Sequence, residues 1–141
     1  MTLYKQVKDI NEAEHKKNQW IQSQLEQHMF DTLTIQQETL LQIVHNKERI
    51  MVSDVAREMG IGSSAVSQLV AKLERKQYIM RMANQHNRRI VFLSLDEQGH
   101  RYFEQRAAIE QQIITQLYQQ FTPAELEQYQ QFLQRILQAT T

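Results

Sequence analysis

The chain has 141 residues, of which 41% are apolar and 23% are charged, and its formal net charge is zero. This length and balance predict one compact domain and exclude a highly charged disordered tail. Three glycines and one proline favour long helices with short connections, and the absence of cysteine excludes disulfides, thiolate metal sites and thiol redox switches. No apolar run is long enough to span a membrane, so the sequence favours a cytoplasmic protein without membrane partners.

Two helices are predicted in the first third of the chain. Residues from about Tyr4 to Met29 carry apolar side chains at helical spacing among polar ones, which is typical of a long amphipathic helix. Thr34 and Gln37 have the spacing of a capping box, in which each side chain bonds the backbone amide of the other residue. A second helix is therefore predicted to begin at this pair.

The middle of the chain predicts two further helices joined by a tight turn. A third, short helix is predicted after Ser53, and it ends at Gly60, where a left-handed backbone costs little. Ser63 or Ser64 is predicted to cap a fourth helix that runs to about Lys76. Its apolar residues recur at helical spacing and define one buried stripe, formed by Val66, Leu69, Val70 and Leu73. The opposite face has short side chains first and cations later.

The periodicity changes after the fourth helix. Two short apolar runs, residues 78–82 and 90–95, flank the polar segment 83–89, and this pattern predicts a β-hairpin with a basic tip. A fifth helix is predicted from Asp96 to about Gln120. The last helix is predicted to start at Thr122, with Pro123 in its first turn and Glu125 completing a capping box.

The basic residues are concentrated in the middle of the chain. Residues 53–95 hold seven basic and three acidic residues, whereas residues 1–52 hold six and seven, and residues 96–141 hold three and six. Attraction to phosphate depends on the local potential and not on the total charge. The zero net charge therefore does not exclude a nucleic-acid partner.

The predicted order of elements is helix, helix, tight turn, capped helix and basic hairpin, which is the order of a winged helix-turn-helix. An α-helix fills the major groove of B-DNA, and its N-terminal end presents free amides and a positive dipole to phosphates. Short and amide side chains allow a close approach to base edges, and cations one and two turns later can reach the DNA backbone. The predicted contacts of this recognition helix, about residues 64–76, are Ser63, Ser64, Ser67, Gln68, Lys72 and Arg75.

The hairpin tip, about residues 83–89, is predicted to offer Arg88 and Arg89 to the neighbouring minor groove. Each piece also has a purely structural interpretation, in which the serines only cap a helix, the helix cations are only solvated and the two arginines only protect a sheet edge. The combination in this order favours DNA binding. The predicted fold class is mainly α with a small β-hairpin wing, that is, a winged helix-turn-helix with long additional helices.

Three segments of the sequence carry a family resemblance. They are residues 33–43 at the second helix, residues 55–76 across the helix-turn-helix, and residues 88–99 from the wing to the start of the fifth helix. These segments resemble the MarR family (multiple antibiotic resistance regulators), and the flanking helices have the lengths that the family uses for dimerisation. The resemblance covers nearly the whole chain, and the central segment is its most specific part.

The resemblance implies a homodimer that binds a pseudo-palindromic operator in double-stranded DNA. Residues 1–32 and 96–141 would form the helical dimerisation region, and residues 33–95 the DNA-binding lobe, within one compact domain overall. It further implies a ligand pocket between the dimer helices and the DNA-binding lobe, and it favours a repressor that a small-molecule effector releases. The operator sequence, the effector and the regulated genes cannot be read from these residues.

Two positions depart from the family pattern. Asn87 stands where the family commonly has Asp, two residues before Arg89, which the resemblance assigns to the minor groove. Asn can orient this arginine by a hydrogen bond but without a charge, so Asn87 joins Arg88 and Arg89 among the predicted DNA contacts. Gln77 stands where the family commonly has Gly, and there we expect either a strained left-handed backbone or a different exit from the recognition helix.

Other classes of function fit the sequence less well. No phosphate-binding glycine loop, nucleophile elbow or distinctive carboxylate pair points to an enzyme, and no cofactor is predicted. A metal-responsive regulator of the same fold would use His15 with Glu12 and Glu14, or His100 with Glu104, but each group is more simply a surface pair. The remaining alternative is a winged helix that binds an acidic protein partner, in which case the basic face would serve protein interaction.

Overall fold

The computed structural model describes residues 1–141 as six helices and one two-stranded antiparallel hairpin. The elements are α1 (Leu3–His28), α2 (Ile35–Lys47), α3 (Val52–Met59), α4 (Ser63–Arg75), β1 (Ile79–Ala83), β2 (Val91–Leu95), α5 (Glu97–Tyr118) and α6 (Pro123–Gln138). The predicted fold class, mainly α with a small β-hairpin wing, is confirmed. No helix combines the length and the apolar character that crossing a membrane would require.

The chain forms two compact units. The lobe comprises Met29–Ala107, and the helical unit comprises Met1–His28 together with Ala108–Thr141. The first part of α5 belongs to the lobe and the second part to the helical unit. Each unit is described separately below.

The lobe is built around one apolar core to which four helices and both strands contribute. Its fully buried side chains are Leu40, Leu41, Val44, Val55, Val66, Val70, Leu73, Ile79 and Leu93. Tyr102 of α5 is also buried in this core, and it meets Phe103 edge to face with ring centroids 5.1 Å apart. Because each helix contributes only one face to the core, the orientation of every helix about its own axis is fixed by burial.

The predicted caps of α2, α3 and α6 are confirmed. The backbone N–H of Gln37 donates to Thr34 Oγ1 at 3.1 Å, and the backbone N–H of Thr34 donates to Gln37 Oε1 at 3.0 Å. Thr122 and Glu125 form the same pair of bonds at the start of α6. Gly60 ends α3 with φ 68° and ψ 30°, which is the left-handed conformation expected there.

The predicted starts of α3 and α4 are wrong by one or two residues. α4 begins at Ser63 with Gly62 as its N-cap, and neither Ser63 nor Ser64 caps the helix with its hydroxyl. The reason is that the carbonyl of Gly62 accepts the N–H of Val66 at 3.1 Å, which places both serines inside the first turn. α3 begins at Val52 and not after Ser53, since the carbonyl of Met51 closes its first turn.

The hairpin pairs Ile79 with Leu95 at its base and Ala83 with Val91 near its tip. A third segment joins it through a single bridge that the sequence did not predict. The N–H of Leu93 donates to the carbonyl of Ile50 at 2.8 Å, and the N–H of Ile50 donates back to the carbonyl of Leu93 at 3.4 Å. This bridge ties β2 to the segment between α2 and α3.

The exit from α4 uses a left-handed residue, as one of the two sequence-based alternatives predicted. Gln77 has φ 65°, and the carbonyl oxygens of Gln77 and Tyr78 each accept an N–H, from Gln98 and from Asp96, at 2.9 Å. These bonds hold the start of α5 against the chain that follows α4. Gly99 lies at this contact, and a Cβ atom there would overlap the carbonyl oxygen of Tyr78.

The helical unit leaves a large apolar surface exposed. α6 has no buried residue, and its exposed apolar side chains are Leu126, Tyr129, Phe132, Leu133, Ile136 and Leu137. The N-terminal half of α1 likewise exposes Leu3, Tyr4, Val7 and Ile10. Burial of a large apolar side chain stabilises a protein by roughly 1.5–3 kcal/mol. Covering these two exposed stripes would therefore release a considerable amount of free energy.

Candidate nucleic-acid interface

The exposed face of α4 is a single line of polar side chains. Ser64, Gln68, Lys72 and Arg75 are all exposed, and their spacing of four, four and three residues puts them on one side of the helix. On the other side, Val66, Val70 and Leu73 are fully buried. The predicted stripe and the predicted polar face are therefore both present, and the buried stripe determines which residues α4 presents outward.

The N-terminal end of α4 is open to solvent. Ser63 and Ser64 are exposed in the first turn. The cap residue Gly62 has no side chain that could accept hydrogen bonds from the free backbone amides. A helix end of this kind carries a partial positive charge and unpaired donors, which suit a phosphate group. Ser67, also a predicted contact, is only half exposed and lies beside the line that Ser64 and Gln68 define.

The tip of the hairpin, residues 84–90, is a closed loop. The N–H of Asn84 donates to the carbonyl of Ile90 at 2.9 Å, and the N–H of Ile90 donates to the carbonyl of Asn87 at 3.0 Å. The second bond makes residues 87–90 a β-turn with Arg88 and Arg89 at its two central positions. Both arginines are exposed, so the turn projects them from the end of the hairpin.

Asn87 orients the turn in the way that its chemistry allows. Its Oδ1 accepts the backbone N–H of Arg89 at 3.1 Å, which is the local side-chain bond that Asn and Asp form in turns. The bond therefore reaches the backbone of Arg89, while the guanidinium remains available to solvent. The amide thus replaces the carboxylate of the family pattern without adding a negative charge beside the arginines.

Ion pairing engages all the acidic residues of the segment 53–95 and leaves five of its cations without a carboxylate partner. Each of the three acidic residues between positions 53 and 95 has a cationic partner: Asp54 with Arg57 at 3.3 Å, Glu58 with Lys47 at 3.9 Å, and Glu74 with Arg81 at 3.3 Å. The basic residues of this segment that lack a carboxylate partner are Lys72, Arg75, Lys76, Arg88 and Arg89. These five cations belong to the C-terminal half of α4, its cap and the hairpin tip.

Both units contain cavities, and one in each is described here. The lobe has a groove of about 310 Å³ between α2, α3 and the first part of α5, and the residues that line it are mostly polar, among them Thr39, Gln42, Glu58 and Arg106. The helical unit has a more apolar cavity of about 570 Å³ whose lining includes Lys17.

No group of three or more His, Cys, Asp or Glu side chains is arranged to hold a metal ion, so neither His15 nor His100 has the neighbours that such a site needs.

A buried tyrosine pair lies between α4 and α5 in the lobe. Burial raises the pKa of Tyr78 to about 12, and a hydrogen bond from its hydroxyl to Asp31 adds to the effect. Burial also raises the pKa of Tyr102, whose hydroxyl donates to Glu38 Oε1 at 3.5 Å. Both hydroxyls act as hydrogen-bond donors that connect α2 and the segment before it to the core.

A helix-turn-helix whose second helix exposes one polar line, followed by a hairpin with a basic tip, defines a winged helix-turn-helix protein. Residues 33–91 match the model of the MarR family. Over this segment, which is 59 of the 141 residues, the chain matches the MarR family, and the curated relatives it resembles are named as HTH-type regulators; the resemblance drawn from the sequence is confirmed.

Individual proteins are also similar to the chain, some in sequence and some in structure. The chain is 31% identical over 90 residues to MdtR of Bacillus subtilis (strain 168), named as an HTH-type transcriptional repressor, and the match covers 64% of this chain and 58% of MdtR. Its structure is similar to that of YusO from Bacillus subtilis, with a TM-score of 0.76 and 26% identity over 99% of both chains. It is also similar to a variant of S. aureus MepR bound to an oligodeoxyribonucleotide, with a TM-score of 0.66 and 22% identity over 100% of both chains.

Proposed function

We propose that this MarR-family regulator binds double-stranded DNA as a homodimer, and that it acts as a repressor which a small-molecule effector releases. The observation that carries the proposal is the exposed polar line of α4, accompanied by five cations without carboxylate partners in the same lobe. The oligonucleotide bound to the similar fold of MepR supports the DNA part of the proposal.

In the proposed complex α4 enters the major groove with its N-terminal end towards the bases. Ser63 and Ser64 have short side chains, so the first turn can approach the DNA closely, and its free amides can bind a phosphate. Gln68 is one turn further on and can donate and accept together, as the recognition of adenine requires. Lys72 and Arg75 follow at distances suited to the DNA backbone.

The wing contributes a second contact in the adjacent minor groove. Arg88 and Arg89 occupy the centre of an exposed turn, and a narrow minor groove concentrates the negative potential that attracts arginine. Asn87 supports this contact because it bonds the backbone of Arg89 and leaves the guanidinium available.

The exposed apolar stripes of α1 and α6 support a homodimer. A monomeric soluble protein rarely exposes an apolar surface that extends along two helices, and such a surface commonly marks an interface. A second copy of the chain presents the same stripes, so a two-fold interface would cover both at once. The dimer would then present two α4 helices to two half-sites.

Repression and release are the regulatory part of the proposal. MdtR, the relative with 31% identity, is named as a repressor, and a MepR structure contains bound ethidium. Either of the two cavities is large enough for a small organic effector.

Binding of a random-sequence duplex across a salt series tests the DNA part of the proposal. A DNA-binding protein should show a linear fall of log K with log salt, with a slope of several units and at most about −9 if all ten unpaired cations of a dimer neutralise phosphates. A flat salt dependence, or no binding at about 50 mM salt, would favour the alternative that the basic face binds an acidic protein.

A further inference from the structure

The wing tip is held together mainly by the side chain of one residue, Asn84. Its Oδ1 accepts the backbone N–H of His86 at 2.8 Å and that of Asn87 at 3.2 Å, while its own N–H donates to the carbonyl of Ile90. Asn84 is half buried, whereas the five residues that follow it are exposed. Asn84 thus anchors the loop at its first position and leaves the rest of the tip free to meet a partner.

The sequence of the tip explains why such an anchor is needed. No glycine or proline occurs between Ile79 and Leu95. The hairpin therefore has neither the permissive backbone of glycine nor the fixed φ angle of proline to favour a turn. The fold of the loop depends instead on side-chain bonds to the backbone, and Asn84 supplies two of the three that the loop contains.

We infer that Asn84 is a positioning residue for DNA binding, because it pre-forms the turn that presents Arg88 and Arg89. Its bond to the N–H of Asn87 fixes the first residue of that turn, and Asn87 in turn bonds the N–H of Arg89. Asn84 itself does not contact DNA. The inference rests on the proposed minor-groove role of the two arginines.

The energetic effect follows from the cost of ordering a flexible loop on binding. A wing that is already folded loses little conformational freedom when it meets the groove, whereas a disordered one must be ordered at that moment. Asn84→Ala removes both side-chain hydrogen bonds, and the backbone amides of His86 and Asn87 are then hydrogen-bonded only to water. Each wing of a dimer would therefore have to be ordered on binding, at a cost in binding free energy. The contacts in the final complex stay the same in number.

Affinity and salt dependence together distinguish this role from a direct contact. Asn84→Ala should weaken DNA binding about 10-fold per dimer with the salt slope unchanged, because the same cations still reach the DNA. The double variant Arg88→Ala/Arg89→Ala should weaken binding and also reduce the salt slope, by up to about 2 per subunit. Gln85→Ala is the matched control, because it shortens an exposed side chain of the same loop that makes no bond, and it should leave both quantities unchanged.

The triple variant Asn84→Ala/Arg88→Ala/Arg89→Ala completes a mutant cycle that measures the coupling between Asn84 and the two arginines. Once both arginines are absent, Asn84→Ala should cause no further loss of affinity, since the residue acts through them. In the free protein, Asn84→Ala should lower the hydrogen-exchange protection of the His86 and Asn87 amides, and Asn84→Asp, which keeps the acceptor oxygen, should restore it. Melting temperatures should stay equal, because the tip contains no core residue.

The outcomes separate the inference from the function on which it rests. Equal losses from Asn84→Ala with and without the arginines, or a reduced salt slope for Asn84→Ala alone, would overturn the positioning role. Full affinity of Asn84→Ala, while Arg88→Ala/Arg89→Ala binds weakly, would overturn the inference and leave the proposed function intact. Full affinity of the double arginine variant would overturn the minor-groove role itself.

Discussion

Gln77 adopts a backbone conformation that glycine adopts more easily. Its φ of 65° lies in the left-handed region, where the Cβ of any other residue crowds the neighbouring carbonyl group. The position follows Lys76, the C-cap of α4, and the carbonyl of Gln77 also accepts the N–H of Gln98. The chain therefore leaves the helix through the left-handed conformation that glycine would adopt, and it tolerates the backbone strain that the Cβ atom of Gln77 causes. The side chain of Gln77 is exposed.

Gln77→Gly should stabilise the protein by about 0.5–1 kcal/mol, because the relief of left-handed strain exceeds the extra chain entropy of glycine in the unfolded state. Chemical denaturation of both proteins measures the change. Lys76→Gly is the matched control: Lys76 is exposed and adjacent, but its φ is −87°, so glycine there should destabilise by a similar amount. Destabilisation by both substitutions would contradict the strain argument.

Gly99→Ala should destabilise the protein by about 1–3 kcal/mol, as is usual when an atom is forced into an occupied space. The added Cβ would overlap the carbonyl oxygen of Tyr78 and approach Leu95, so α5 would have to move away from the end of α4. Thermal or chemical denaturation measures whether the free energy of unfolding falls, as the overlap predicts, or rises. An open helical position would gain stability from the same substitution, since alanine has the higher helix propensity.

At this scale the sequence predicts bonds between neighbouring residues well and the choice among adjacent caps poorly. The capping boxes at Thr34 and Thr122 depend on a spacing of three residues, which can be read directly. At α4 two serines were plausible caps, but the preceding Gly62 took that role because the core packing of Val66 and Val70 fixes where the first turn closes. The anchoring role of Asn84 depends on two backbone amides of a loop whose shape the sequence does not show.

At the scale of elements, periodicity was the most informative signal. The apolar spacing of α4 predicted both its buried stripe and its exposed face, because one face of a helix must enter the core. The change to short apolar runs predicted the hairpin. The bridge between Ile50 and Leu93 was missed, since a single paired residue produces no repeating pattern.

The exposed face of α4 predicts different roles for two of its residues. Gln68→Ala should reduce the preference for the best-bound sequence over random DNA, because Gln68 is placed to read a base edge. Lys72→Ala should weaken binding to both duplexes about equally and reduce the salt slope by about 1 per subunit, because a flexible point charge suits a phosphate. Titrations of both duplexes at several salt concentrations measure these effects. An equal loss on both duplexes for Gln68→Ala would mean that α4 lies differently in the groove.

At the scale of the whole molecule, the exposed stripes of α1 and α6 are the strongest reason to expect a second copy of the chain. We expect a dimer at micromolar concentration by sedimentation velocity. Phe132→Asp should shift the protein to monomers, because it places a charge in the middle of the apolar stripe of α6. Gln131→Asp adds the same charge on the opposite face of the helix and should remain dimeric. A monomeric parent protein, or a dimer that tolerates Phe132→Asp, would exclude the proposed interface.

Selection of bound sequences from a pool of random duplexes tests the central claim most directly, since it requires a dimer, a recognition helix and sequence specificity together. A two-fold dimer that inserts one α4 into each of two successive major grooves should enrich an inverted repeat whose half-site centres are about 10–10.5 base pairs apart. Each half-site should be most strongly defined where Ser64 and Gln68 approach the bases. A selected pool without symmetry, or one that stays as diverse as the starting pool, would contradict the account.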